Sequence, residues 1–477
     1  MMFSDIAALQ QAFFNKAISA VELIDYYLTR IQCHNSHYHI YTEILSKRAR
    51  HQAQCLDQKL AQGLTLGPLA AVPFAVKNLF DVEAVVTLAG AKITKTNSPA
   101  TQDALLIQRL LAADAILLGS LNMGEFAYDF TGENSHYGNC HNPWQAEHMT
   151  GGSSSGSGAA LAGDLAMLTL GSDTNGSIRV PASLCGVYGL KPTYGRLPRD
   201  GTYPFVDSLD HVGPLARNIT DLALAFDQLQ INTSSIADVK DHTVRKISPT
   251  KTHTVVKATL AEQRPLKTLR IAYADDYFAT TYLPAAKAAV EKVCQALGVT
   301  QSITLQGAAE ARAAAYMLTQ IEGATLHLPQ LQQQSMDFDP DTRYRFLAGA
   351  MLPASWYVRA QQVRHWAQQK MLQAFATVDV IIAPATPCSA PPIGTKTLTI
   401  NHEVLPLRPN LGYFTQPISA VGWPSCVVPV INASDQLPIG VQIIAAPWCE
   451  EQCLQVAAQL ALTGVLLDTR QYSQKAL

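Results

Sequence analysis

The sequence predicts an α/β fold in which helices cover a mixed or mostly parallel β-sheet. Three observations carry this expectation. From Leu66 onward, short apolar runs such as AAVPFAV at 70–76 and AILLG at 115–119 alternate with helical windows, the texture of buried strands joined by helices. Hydrophobic residues make up 48% of the 477, and the 28 glycines and 26 prolines are spread along the chain, so the composition can bury a large core. No internal repeat of fixed period is present, which excludes solenoids and propellers. This length permits two or three domains or one large α/β domain.

Residues 4 to about 60 read as helices. Ser19 precedes AVELIDYYLTRI with Glu22 three residues on, the pattern of a capping box. Earlier, Ile6, Leu9, Phe13, Phe14, Ile18, Val21 and Ile24 are interrupted by Asp5, Gln10, Gln11 and Asn15 with no cationic leader, which reads as an amphipathic helix rather than a signal peptide. AALAGDLAMLTL at 159–170 reads as a buried helix and strand. Residues 231–266 are rich in Thr, Ser, Lys and His without helical or strand period and read as a polar surface excursion. Strand character resumes in LKTLRIAYA at 266–274. Helices follow at 284–297 and near 355–377, then the strand runs VDVIIAP at 378–384 and PIGVQII at 438–444.

Charge narrows the function. Lys and Arg total 35 against 37 Asp and Glu, a net charge of −2, and only 15% of residues are charged, under the roughly 25% usual for soluble proteins. Without a basic field, direct nucleic-acid binding is not expected. The most apolar long stretch, Ala104 to Leu121, is broken by Gln108, Arg109 and Asp114, so no membrane span is expected. The nine cysteines are odd in number and contain no C-x-x-C pair, which predicts reduced thiols in a cytoplasm. His34, His37 and His39 lie in a loop-like N-S-H-Y-H setting with only Cys33 as a companion, and they read as solvated surface rather than metal ligands.

Two tracts carry the chemistry: GGSSSGSG at 151–158 and GSDTNGSIRVP at 171–181. A Gly/Ser run is ordinarily a linker, but this one leads straight into the apolar run that follows. A phosphate cradle would need G-x-x-x-x-G-K-[ST], which is absent. Gly152 to Gly156 satisfies G-x-S-x-G with Ser154 as nucleophile, yet a nucleophile elbow needs a strand before it and the preceding HNPWQAEHMT is loop-like. The remaining reading has a serine of each tract acting with a buried base. Lys77 fits, because the apolar neighbours in AAVPFAVKNLF would desolvate its ammonium and lower its pKa; a lysine snorkelling from a strand end would look the same.

GPLAAVPFAVK at 67–77, the two tracts, and CGVYGLKPT at 185–193 together resemble the amidase signature family, with further matches at NMGEF 122–126, DVIIAPATP 379–387 and PIGVQ 438–442. The likeness spans roughly residues 60 to 460. It implies a single domain over 1–477, with an N-terminal helical segment over 1–60, whose twisted mixed sheet is covered by helices on both faces. It further implies an amide hydrolase needing no cofactor or metal, with a Ser-cisSer-Lys triad of Ser177 as nucleophile, Ser153 as relay and Lys77 as base. Backbone N–H groups of Thr174, Asn175, Gly176 and Ser177 would form the oxyanion hole, and the bond joining Gly152 to Ser153 would be cis.

Within that family the likeness at SLDHVGP 208–214 and RPNLGYFTQPIS 408–419 points to members acting on small carboxylated ureido amides, such as 1-carboxybiuret, with release of ammonia. Tyr128 and Phe414 are expected to wall the pocket or pack in the core, His211 to line or support it, and Arg408 to clamp the carboxylate, while Arg179 is read as a structural partner of Asp173 ahead of a substrate contact. Ser155, Asn175, Asn78 and Gly124 depart from the common family pattern. The expected partners besides substrate are a second copy of the chain, in a homo-oligomer, and a small helical accessory subunit. The alternatives are the glutaminase subunit of a tRNA-dependent amidotransferase and an α/β-hydrolase-type esterase using Ser154.

Overall fold

Eleven strands form the central sheet of the computed structural model, which describes residues 3–231, 249–262, 269–280, 284–400, 402–432 and 434–468. In chain order they are β1 (Tyr41–Ile44), β2 (Pro73–Lys77), β3 (Ile116–Leu121), β4 (Leu168–Asp173), β5 (Tyr188–Lys191) and β6 (His211–Ala216). The remainder are β7 (Ile271–Ala274), β8 (Ser302–Ile303), β9 (Val380–Pro384), β10 (Ser425–Ile431) and β11 (Pro438–Ala445). Their spatial order is β1-β3-β2-β4-β6-β5-β10-β11-β9-β7-β8. The sheet is mixed: β3, β2 and β4 run parallel, β4 to β9 pair antiparallel through the centre, and β9, β7 and β8 are parallel again.

Every residue of β2, β3, β4, β6, β9 and β11 is buried. Side chains alternate between the two faces of a strand, so full burial requires cover on both. Helices supply it, and this is the single-domain fold the sequence predicts.

The capping box at Ser19 and Glu22 starts the helix Ala20–Tyr38. That helix runs through His34 and His37 and is closed by His39 in a left-handed conformation, so the expected loop is a helix end. Tyr41–Ile44 is an edge strand inside a segment that reads as all helix. The helix Pro284–Leu297 and the strands β9 and β11 fall where the sequence puts them. Of the polar stretch 231–266, residues 232–248 and 263–266 lie outside the described residues. Within it Thr252–Glu262 is a helix, with Thr252, Val256 and Thr259 buried at helical spacing; its small, polar inward side hides the period. Among the described residues no helix is long and apolar enough to cross a membrane.

Candidate active site

Strand ends assemble the site. Lys77 is the last residue of β2, and the parallel register pairs Val76 with Leu170, which sets Lys77 beside Gly171 and Ser172 at the carboxyl end of β4. Crevices at the carboxyl ends of parallel strands are where open α/β sheets hold their sites. Lys77 is fully buried, and its Nζ donates to Ser153 Oγ at 2.7 Å and Ser172 Oγ at 2.8 Å. Burial lowers its pKa to about 7 against the pull of Asp173, Asp210 and Asp129. A large fraction of this amine is therefore neutral at neutral pH and able to take a proton.

The first tract supplies Ser153, joined to Gly152 by a cis peptide bond. Ser154 ties the tracts together: its N–H donates to Ser177 O at 3.3 Å, and its Oγ donates to Ser172 O at 3.2 Å. Among the described residues no histidine pairs with it, so it lacks a base. A short strand, Gln145–Met149, does precede the tract, but it pairs in a two-stranded hairpin and through a bridge at His148 to Pro392, not in the main sheet.

The second tract is bound from both sides. Thr174 Oγ1 donates to Asp210 Oδ1 at 2.6 Å, and Thr415 Oγ1 donates to Asn175 O at 2.7 Å. Gly176 has φ 144°, and a Cβ there would lie 2.1 Å from Thr415 Oγ1, so only glycine fits. The N–H groups of Asn175, Gly176 and Ser177 meet no acceptor among the described residues, while Ile178 N–H donates to Asp173 Oδ2.

Ser177, Thr174, Asn175 and Tyr128 line one cavity, together with Asp129, Phe205, Tyr316, Thr319, Arg345 and Gln416. Arg345 is the residue sequence reasoning missed. It lies on the helix Pro340–Ala350, its guanidinium sits 3.8 Å from the Tyr128 ring centroid, and Nη2 donates to Tyr128 O. Nε donates to Asp341 O at 3.1 Å, and no described carboxylate pairs with it. Burial pushes its pKa down. No motif marks it, because its place depends on a helix far along the chain. Ser172 was overlooked inside a tract already in view.

Of the expected pocket residues, Arg179, Arg408, His211 and Phe414 do not line this cavity. Arg179 is fully buried, with Nε and Nη2 on the two oxygens of Asp173 at 2.9 Å each and Nη1 on Gln442 Oε1 at 2.7 Å. Its donors are committed to structure, not substrate. Burial alone would raise the Asp173 pKa, but Arg179 outweighs it and holds the carboxyl well below its ordinary range. Arg408 lies outside the cavity, pairing with Asp129 at 2.7 Å, Glu133 at 3.2 Å and Asp341 at 3.3 Å. A guanidinium shared by three carboxylates has little left for a fourth. His211 is buried next to the nucleophile tract, with Nδ1 against Leu209 O at 2.7 Å and Asp173 O at 3.1 Å; burial and Lys191 push its pKa far down. Phe414 packs in the core against Phe278 rather than walling the cavity.

The departures have physical reasons. A Cβ at Gly124 would lie 2.4 Å from Asp129 Cβ, so an aspartate cannot sit there. Ser155 Oγ donates to Asn122 O at 3.2 Å, and Asn78 bridges Thr42 and Gly90. Among the described residues no group of three or more His, Cys, Asp or Glu side chains could hold a metal ion.

A buried lysine against a serine, a second serine on a glycine-bounded loop, and this mixed sheet are the arrangement of an amidase. The chain belongs to the amidase family, whose profile matches residues 22–454. It is 47% identical over 420 residues to AtzE, a 1-carboxybiuret hydrolase subunit of Pseudomonas sp. (strain ADP), covering 88% of this chain and 90% of that one. A glutamyl-tRNA(Gln) amidotransferase subunit of Chloroflexus aurantiacus is more distant, at 33% over 478 residues and 94% of each chain. Among solved structures, a chain of a vestigial protein complex that reveals the evolutionary origins of an s-triazine catabolic enzyme superposes with a TM-score of 0.93 at 44% identity, covering 97% of this chain and 99% of that one. A bacterial aryl acylamidase shares the fold at a TM-score of 0.87 and 21% identity, covering 98% of this chain and 97% of that one.

Proposed function

We propose that the chain hydrolyses the terminal amide of a small carboxylated ureido compound, such as 1-carboxybiuret, through an acyl-enzyme on Ser177. The observation that carries this reading is the contact between buried Lys77 and Ser153. Neutral Lys77 takes the Ser153 proton while donating to Ser172, and Ser153 takes the proton of Ser177 as its Oγ attacks the carbonyl. The N–H groups of the loop from Thr174 to Ser177, without an acceptor at Asn175, Gly176 and Ser177, stabilise the developing oxyanion. The relay then returns a proton to the leaving nitrogen, ammonia departs, and water enters by the same relay to release the acid.

Arg345 takes the clamp role expected of Arg408, because it is a guanidinium in the cavity without a carboxylate partner among the described residues. The likeness to the carboxybiuret hydrolase chain supports the ureido class over glutamine, since the amidotransferase relatives are more distant. Ammonia release over carboxylated ureido amides, glutamine and aryl amides tests the reading; preference for glutamine or aryl amides would overturn its substrate half.

The chain also works with a small helical accessory subunit in a reducing cytoplasm. Support comes from relatives described as a protein complex and as one subunit of a hydrolase, from exposed Met351, Trp356, Val358 and Trp366, and from nine free cysteines. Co-purification from the native source checks this; a lone, fully active chain would count against it.

A further inference from the structure

Two buried polar atoms on residues that line the cavity have no partner. Asn175 Oδ1 and Tyr128 Oη are both buried without a hydrogen bond, and both residues line the cavity that holds Ser177. Buried polar atoms are nearly always paired, so each one left open beside a binding cavity calls for an explanation, and a ligand that completes it is one. Asn175 is the better defined of the two. Its Nδ2 donates to Thr319 Oγ1 at 2.7 Å, and its main-chain carbonyl accepts from Thr415 Oγ1 at 2.7 Å. With both ends held, one acceptor oxygen is left unpaired on a cavity-lining residue two positions before the nucleophile.

We infer that Asn175 selects the substrate by accepting a hydrogen bond from an N–H bonded directly to the scissile carbonyl. This rests on the proposed ureido reading and deepens it: the amide must be flanked by nitrogen, not carbon. A methylene in that place leaves Asn175 Oδ1 buried and unpaired, and sites built around one such bond discriminate strongly against analogues lacking it. Tyr128 Oη is a second open group in the same cavity, available to the distal part of the same ligand. The loop position makes the selection economical, because the main chain of Asn175 also faces the reacting carbonyl.

The test uses two stable probes with the same chain length and carboxylate, ureidoacetate and succinamate, which differ by N–H against CH2 beside the terminal carboxamide. Ammonia release gives kcat/KM for each with the full-length protein and any co-purifying partner. The expected result is a preference for ureidoacetate of about tenfold or more that collapses toward unity in Asn175→Ala. Thr319→Val keeps the asparagine but frees its carboxamide to turn, and the preference should fall there too, which guards against a misfolded Asn175→Ala. If both probes are turned over without preference, or the preference survives in both variants, the inference is overturned while the amidase reading stands. If neither carboxylated probe reacts but aryl or long-chain amides do, the ureido reading falls and this inference with it.

Discussion

Lys77 Nζ lies 2.7 Å from Ser153 Oγ at the carboxyl end of β2, in a setting with no exposure to solvent. The pair joins a strand residue to a loop 76 positions later, and the register of β2 against β4 adds Ser172 to the same amine. An ordinary lysine would be protonated here; burial takes its pKa to about 7.

The pH dependence follows. In the proposed relay the neutral amine is the base, so kcat/KM should fall as pH drops below about 7 and level off above it. Lys77→Ala should lose activity at all pH values, and Lys77→Arg should not restore it, since guanidinium stays protonated. A pH profile of kcat/KM with both variants checks this.

Arg345→Ala should weaken binding of carboxylated amides by about 1.5 to 3 kcal/mol, roughly a tenfold to hundredfold rise in KM. Neutral amides should change little. Arg408→Ala should act differently, because it frees Asp129, Glu133 and Asp341 from their shared cation. Loss of thermal stability, independent of substrate charge, is its expected signature.

Breaking the Arg179–Asp173 pair by Arg179→Met leaves a fully buried carboxylate uncompensated, at a cost of about 3 to 5 kcal/mol. The double variant with Asp173→Asn should recover part of that loss. Thermal unfolding of the single and double variants measures the coupling.

His327 sits among Phe126, Phe338 and Phe346 with both ring nitrogens unpaired, and burial lowers its pKa to about 3. A histidine held neutral in the fold but protonated when unfolded contributes stability above its ordinary pKa of 6.5, and that contribution is lost as pH falls toward the folded value. His327→Leu should therefore flatten the fall in thermal midpoint between pH 7 and pH 5. Equal slopes for the two proteins would contradict this.

Legibility in the sequence tracked locality. The serine tracts, the lysine after an apolar strand, and the capping box at Ser19 are written in contiguous residues, and the structure brings Lys77 to Ser153. Asn175 was visible as a departure, but its orientation depends on Thr319, 144 positions away. Arg345 lines the cavity and Arg408 does not, because cationic side chains are sorted by which carboxylates fold beside them. Asp129 and Glu133 reach Arg408 across 279 and 275 positions, and no local pattern encodes that. The antiparallel pairing in the middle of the sheet was likewise invisible, since a strand buried on both faces reads the same in either direction.

Covalent trapping tests the Lys77–Ser153–Ser177 relay most directly. The protein is treated near pH 8 with a serine-directed phosphonate and the adduct is mapped by mass spectrometry, in parallel with Lys77→Ala. The relay predicts a single adduct on Ser177 that is lost or greatly slowed in the variant. An adduct on Ser154, or labelling of Ser177 at an undiminished rate without Lys77, would contradict it.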